Sequence, residues 1–117
     1  LNVAAKARRP AKPPEAPRTP RVVELLRQAQ EWRRQLDSGD VRTQAEIARR
    51  ERITRARVTQ IMALIRLAPE IQERALALPD TIRRPTITER ALRPIAQATD
   101  HEVQLVLFEK LLSSPEA

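Results

Sequence analysis

Arg55, Thr59 and Gln60 fall on one face of segment 54–66 if that segment is a helix, because Val58, Ile61 and Ile65 then take the opposite face. The chemistry these side chains offer is recognition by hydrogen bonding. A guanidinium fork matches the O6 and N7 acceptors of guanine, and a carboxamide matches the N7 and N6 edge of adenine. Arg55 is therefore the candidate for guanine and Gln60 for adenine, with Thr59 serving a base or a phosphate. Ala56 is short enough to let the helix approach and to touch a thymine methyl, and Ala63 shares the same face. Arg55, Ala56, Thr59 and Gln60 form the expected base-contacting set. Thr43, Gln44, Thr54 and Arg57 are placed for the sugar-phosphate backbone, which sets register rather than sequence. Arg49 and Arg52 add longer-range attraction.

Catalytic alternatives are poor. His101 is the sole histidine and cysteine is absent, so a metal site would need carboxylates alone. Glu70 with Glu73, and Asp100 with Glu102, read more economically as favourable charges at helix N-termini. Ser113 and Ser114 lie at the end of the last helical pattern, without a scaffold for a nucleophilic triad. The chain is expected not to be an enzyme and to need no cofactor, metal or small-molecule substrate.

The elements that must hold the recognition face are themselves legible. Thr43-x-x-Glu46 is a capping box opening a helix over about 44–50. Thr54 caps a second helix over about 55–66 and leaves its N-terminus projecting, where its dipole also favours a phosphate. Ala48 is small enough to let the two helices cross closely. Ile47, Ile53, Val58 and Ile61 lock them from inside. That is the layout of a helix-turn-helix. The bland alternative is an ordinary pair of bundle helices with arginines outward for solubility.

Around this pair, 117 residues allow one small domain. Trp32 and Phe108 are the sole aromatics and Gly39 the sole glycine. With no strand-like alternation, the core must be Leu, Ile, Val and Ala, in an all-α bundle of about six helices over 19–117. The first helix is expected to start with Thr19 as N-cap and Pro20 at the first helical position, and to end at Gly39 in a left-handed cap. Val22, Leu25, Leu26, Ala29, Trp32 and Leu36 mark its buried face. Further helices are expected at 69–78 and from Thr88, the latter carrying Pro94 inside it. A second capping box, Thr99-x-x-Glu102, opens the last helix at about 100–113. There, Val103, Val106, Leu107 and Leu111 form one apolar stripe, and Leu105, Phe108 and Leu112 another. Either both are buried within one domain, or one of them meets a second chain in a homodimer.

Net charge is +7 and the isoelectric point about 11.3, a balance that points to a polyanion. The excess is segregated. Residues 1–18 hold five basic residues against one acid, and 42–66 hold seven arginines against two glutamates. Residues 67–117 hold six basic against eight acidic. Residues 1–18 read as a disordered Pro-rich arm: either a solvated linker, or a basic arm in which Arg8, Arg9 and Lys12 add phosphate contacts. No signal peptide is visible, and no apolar run approaches the ~18 residues of a membrane span. A cytoplasmic, nucleoid-associated location is the expectation. The chain begins with leucine, which fits a piece of something longer.

Gln44-Ala-Glu-Ile-Ala-Arg-Arg50, Ile53-Thr-Arg-Ala-Arg-Val-Thr-Gln-Ile61 and Leu67-Ala-Pro-Glu-Ile71 together resemble the DNA-binding domain of ParB/KorB-like proteins. Ile87-Thr-Glu-Arg-Ala-Leu92 and Thr99-Asp-His-Glu-Val-Gln-Leu105 are similar to the helices that follow the motif there, so the resemblance spans roughly 40–113. It implies a sequence-specific binder of double-stranded DNA of bacterial, plasmid, phage or integrative-element type, commonly dimeric on a palindrome. By matching positions, it places Thr43 and Gln44 on phosphates, and Thr54, Arg55, Ala56, Thr59 and Gln60 on the recognition surface. Arg52 stands where the family's turn usually has glycine, and Glu51 where leucine is common. A left-handed Arg52 would cost about 1 kcal/mol. ParB's CTP-dependent activity belongs to a separate N-terminal domain; with no Gly-rich phosphate loop here, it is not expected.

The leading expectation is thus a DNA-binding protein of transcription, partition or integration. The runner-up is a protein-interaction adaptor, an accessory subunit of a recombination or partition complex. A basic membrane-surface helix comes third, because the arginines lie in a capped pair rather than along one long amphipathic helix.

Overall fold

The computed structural model describes residues 16–83 and 85–113. Among them are six α-helices, one 3-10 turn and no strand, the β-pairing being a single antiparallel bridge between Arg18 and Thr81. The helices are α1 (Arg21–Ser38), α2 (Gln44–Glu51), α3 (Arg55–Met62), α4 (Pro69–Leu76), α5 (Glu89–Gln97) and α6 (His101–Ser113). None is long and apolar enough to cross a membrane. The all-α expectation holds; residues 1–15, with Arg8, Arg9 and Lys12 of the basic arm, lie outside the described residues.

The longest helix, α1, is the centre of the bundle and touches α3, the 3-10 turn, α4 and α5. Val22, Val23, Leu25, Leu26, Ala29 and Trp32 are buried along it. The indole N–H of Trp32 is buried with no hydrogen-bond partner among the described residues. The N-cap is Pro20, one residue later than expected. Thr19 does not cap because its hydroxyl donates to Asp80 at 3.1 Å. The adjoining Arg18 and Thr81 exchange backbone hydrogen bonds of 3.0 and 2.9 Å. The chain before α1 is thereby tied to the loop before α5. Gly39 ends α1 with φ +86°, where an L side chain is strained, and its N–H bonds Leu36 O.

Local chemistry sets most other boundaries. Thr43 Oγ1 accepts from the Glu46 N–H at 3.1 Å. The Glu46 carboxylate reaches back to the Arg42 N–H at 2.9 Å, one residue beyond the reciprocal contact of a capping box. α3 is shorter than expected: after Met62 the chain tightens into a 3-10 turn, Ala63–Arg66, which buries Leu64 and packs against α5. Pro69 opens α4 at its first position, and α4 ends at Leu76 rather than 78. Thr88 Oγ1 accepts from the Ala91 N–H and starts α5, whose Pro94 lies on the exposed side of an uninterrupted helix. At α6 the side-chain cap is Asp100, not Thr99: Asp100 Oδ1 accepts from the Glu102 N–H at 2.8 Å.

The turn between α2 and α3 is closed by Arg52, the non-glycine residue with positive φ among those described, at φ 59° and ψ 42°. The Ile53 N–H returns to Ala48 O at 3.1 Å, a Schellman-type closure that satisfies the end of α2. The left-handed position anticipated from the turn therefore carries an arginine. Arg52→Gly is expected to raise stability by about 0.5–1 kcal/mol, relief of backbone strain being partly offset by glycine's freedom in the unfolded chain. Urea unfolding measures it, and a loss of stability would show that the turn is unstrained.

α6 meets the bundle mainly through α5, using the expected Leu105, Phe108 and Leu112 stripe with Gln104 beside it, rather than Val103 and Val106 of the other. Gln104 and Phe108 are its buried residues, while Val103 and Val106 are 46% and 56% exposed. Leu105, Leu107, Leu111 and Leu112 are half-buried. Gln104 is buried because three backbone groups need it. Its Oε1 accepts from the Ala68 N–H at 2.6 Å, and its Nε2 donates to Arg66 O at 3.1 Å and Ala98 O at 2.8 Å. Beside it, the Arg74 guanidinium stands 5.7 Å from the centre of the Phe108 ring.

Candidate nucleic-acid interface

The α2–α3 pair is held from inside as the spacing requires. Ile47, Ala48, Val58 and Ile61 are buried and Ile53 is half-buried. Thr54 Oγ1 accepts from the Arg57 N–H at 3.0 Å, so α3 starts at a filled cap. With that face inward, Arg55, Ala56, Thr59 and Gln60 are all exposed on the other, together with Thr43, Thr54, Arg49 and Arg52. Ala63 is half-buried, since it belongs to the 3-10 turn rather than to α3. The Thr59 hydroxyl lies 2.8 Å from Gln44 Oε1 and 3.1 Å from Arg55 O, joining the first residue of α2 to the exposed face of α3. Beside Gln44 and Thr59 runs an open groove of about 550 Å³, lined also by Arg33, Arg66 and Gln72.

Among the described residues, some arginines are ion-paired within the fold and others, Arg27 of α1 among them, are not. On α1, Arg33 pairs with Asp37, and Arg34 with Glu31 and Asp40. The hydrogen bonds from Arg34, and then from Gln35, hold the Glu31 carboxyl down at about 2. Arg50 pairs with Glu51. Arg49, Arg52 and Arg55, which bracket the α2–α3 turn, form no ion pair among the described residues. The local positive charge at the turn is thus not neutralised from within.

Arg57, expected on the sugar-phosphate backbone, is engaged within the fold by a fork-to-fork ion pair with Glu89 at the start of α5. Arg57 Nη1 lies 2.6 Å from Glu89 Oε2, and Nη2 lies 3.0 Å from Oε1. Arg93 Nη2, one turn along α5, reaches the same carboxylate at 3.3 Å. Burial pushes the Glu89 carboxyl upward, but the hydrogen bonds and charges of Arg57 and Arg93 outweigh it and hold the group below the usual carboxylate range. The bond to Glu89 likewise raises Arg57, against its partial burial. The 32-residue separation explains why sequence reasoning missed the pair: Glu89 follows a capping threonine and reads as an ordinary first-turn acid.

Among the described residues, no three or more His, Asp or Glu side chains gather as a metal site would require. The arrangement offers donors for acidic groups and base edges. No family model matches the chain, and no curated protein or solved structure matches it either.

Proposed function

We propose that this chain binds duplex DNA sequence-specifically, with α2 and α3 acting as a helix-turn-helix and the N-terminal half of α3 entering the major groove. The observation that carries the reading is the cluster of unpaired arginines at the α2–α3 turn. Among the described residues Arg49, Arg52 and Arg55 have no acidic partner around a projecting, capped helix start, beside exposed Thr59 and Gln60, whereas Arg33 and Arg34 of α1 and Arg50 of α2 are ion-paired. Arg55, Ala56, Thr59 and Gln60 face the base edges. Thr43, Gln44, Thr54, Arg49 and Arg52 face phosphates on either side. Arg57 is left out of this set, because its fork is committed to Glu89. The role that fits is a regulator or partition-type protein of bacterial or mobile-element DNA. A homodimer closed by the exposed Val103 and Val106 of α6 would set two recognition helices one DNA turn, ~34 Å, apart.

Selection of sites from random duplexes, followed by titration of the winner across salt concentrations, tests the reading. A preferred motif is expected, with affinity falling steeply as salt rises. Three to five phosphates neutralised give a log–log slope of roughly −3 to −5. Absence of binding at about 50 mM salt would favour the second reading, an adaptor that engages a protein partner through the α6 valines.

A further inference from the structure

One side chain on the exposed face of α3 has its polarity set from outside the α2–α3 pair. Gln60 is exposed, yet its Oε1 accepts from Arg57 Nη1 at 3.3 Å. Arg57 is itself pinned, because both ends of its fork are bound to Glu89. Glu89 has a side chain only 14% exposed and is held in place by Arg93. A guanidinium carries donors and no acceptor, so the atom of Gln60 that it meets must be the carbonyl oxygen. The carbonyl oxygen is thereby turned toward Arg57 with one of its two lone pairs occupied, which leaves the amide NH₂ as the more available part of Gln60. An adenine edge asks a carboxamide for both its atoms at once, a donor for N7 and an acceptor for N6. Guanine presents two neighbouring acceptors, N7 and O6, and asks for donors alone.

We infer that Glu89 is a positioning residue for specificity: through Arg57 it fixes Gln60 as a hydrogen-bond donor, so that Gln60 reads guanine in preference to adenine. The inference rests on the proposed DNA-reading role of α3, and it reverses the adenine partner that the residue type alone suggests. The relay runs from α5 to the recognition face, so a helix with no expected DNA contact sets which base the face accepts. Arg55 has no part in the relay.

The test compares the full chain with Gln60→Ala, Glu89→Gln, Arg57→Lys and the Glu89→Gln/Gln60→Ala pair, each by site selection and by competition among duplexes differing at one base pair. Gln60→Ala locates the position that Gln60 reads. There the unaltered chain is expected to prefer guanine over adenine by about tenfold. Glu89→Gln frees the fork, lets the Gln60 amide turn over, and should bring that preference within about threefold, while the position read by Arg55 keeps its own. The double variant should be no flatter than Gln60→Ala alone. Arg57→Lys keeps the charge but loses the fork, and should flatten the same position; it carries the comparison if Glu89→Gln does not fold at the assay temperature. A preference for adenine in the unaltered chain overturns the inference. So does an unchanged guanine preference in a folded Glu89→Gln or Arg57→Lys chain, or a Gln60→Ala chain whose motif is unaltered at every position. In those cases selective binding survives and the DNA-binding reading stands. Failure of the unaltered chain to bind any duplex overturns that reading together with the inference.

Discussion

Gln104→Leu is expected to lower stability by roughly 3–5 kcal/mol, the largest effect of any single substitution considered. Leucine is one methylene shorter than glutamine and leaves the Ala68 N–H, Arg66 O and Ala98 O without the partner they have now. A buried backbone group stripped of its hydrogen bond costs about 1–3 kcal/mol, and the gain from a more apolar side chain offsets part of the sum. A domain of this size has about 5–15 kcal/mol in total, so the loss is a large fraction of what holds it folded. The three groups belong to the end of the 3-10 turn, the start of α4 and the link between α5 and α6. The substitution should therefore loosen α6 and α4 together. Thermal and urea unfolding give the number. A loss under about 1 kcal/mol would mean that water or a small shift satisfies those groups equally well, and that Gln104 is not a clamp.

Arg55→Ala should leave stability unchanged and remove about 1–3 kcal/mol of discrimination at one base pair. Its side chain is exposed and makes no ion pair among the described residues, so nothing in the fold depends on it. Arg49→Ala is the matched control: it should weaken every sequence alike and reduce the salt slope by about one. The comparison requires only the selected duplex and its single-position variants. Equal losses on every sequence for both substitutions would defeat the division into base-reading and phosphate-holding arginines.

What the sequence made legible was chemistry that closes within a few residues. Thr43, Thr54 and Thr88 each bond an N–H three positions on, Gly39 takes its left-handed cap, and Arg52 takes the left-handed turn that the missing glycine implied. The inner face of the α2–α3 pair was legible for the same reason, because four-residue spacing reports a helix face directly. What escaped was chemistry that closes across the fold. The apolar stripes of α6 left open whether Val103 and Val106 are inward; Phe108 of the other stripe is buried, and the buried position beside it belongs to polar Gln104, since orphan backbone groups from distant segments converge there. Thr19 lost its capping role to Asp80, 61 residues away, and Arg57 lost its free fork to Glu89. In each case a polar side chain had a nearby role available and took a distant partner instead. The residues proposed to read bases and hold phosphates are legible as a largely exposed set, Gln44 and Arg57 being half-buried.

The left-handed arginine at the α2–α3 turn also bears on how such a surface is maintained. Glycine would ease the backbone, but it would remove one of the guanidiniums that no carboxylate among the described residues neutralises. On the DNA-binding reading, folding and affinity make opposing demands on residue 52, and the chain holds the residue that favours affinity. Variation at this position in a population of related sequences would then follow selection for binding strength. Stability gained elsewhere in the bundle would supply the tolerance for it.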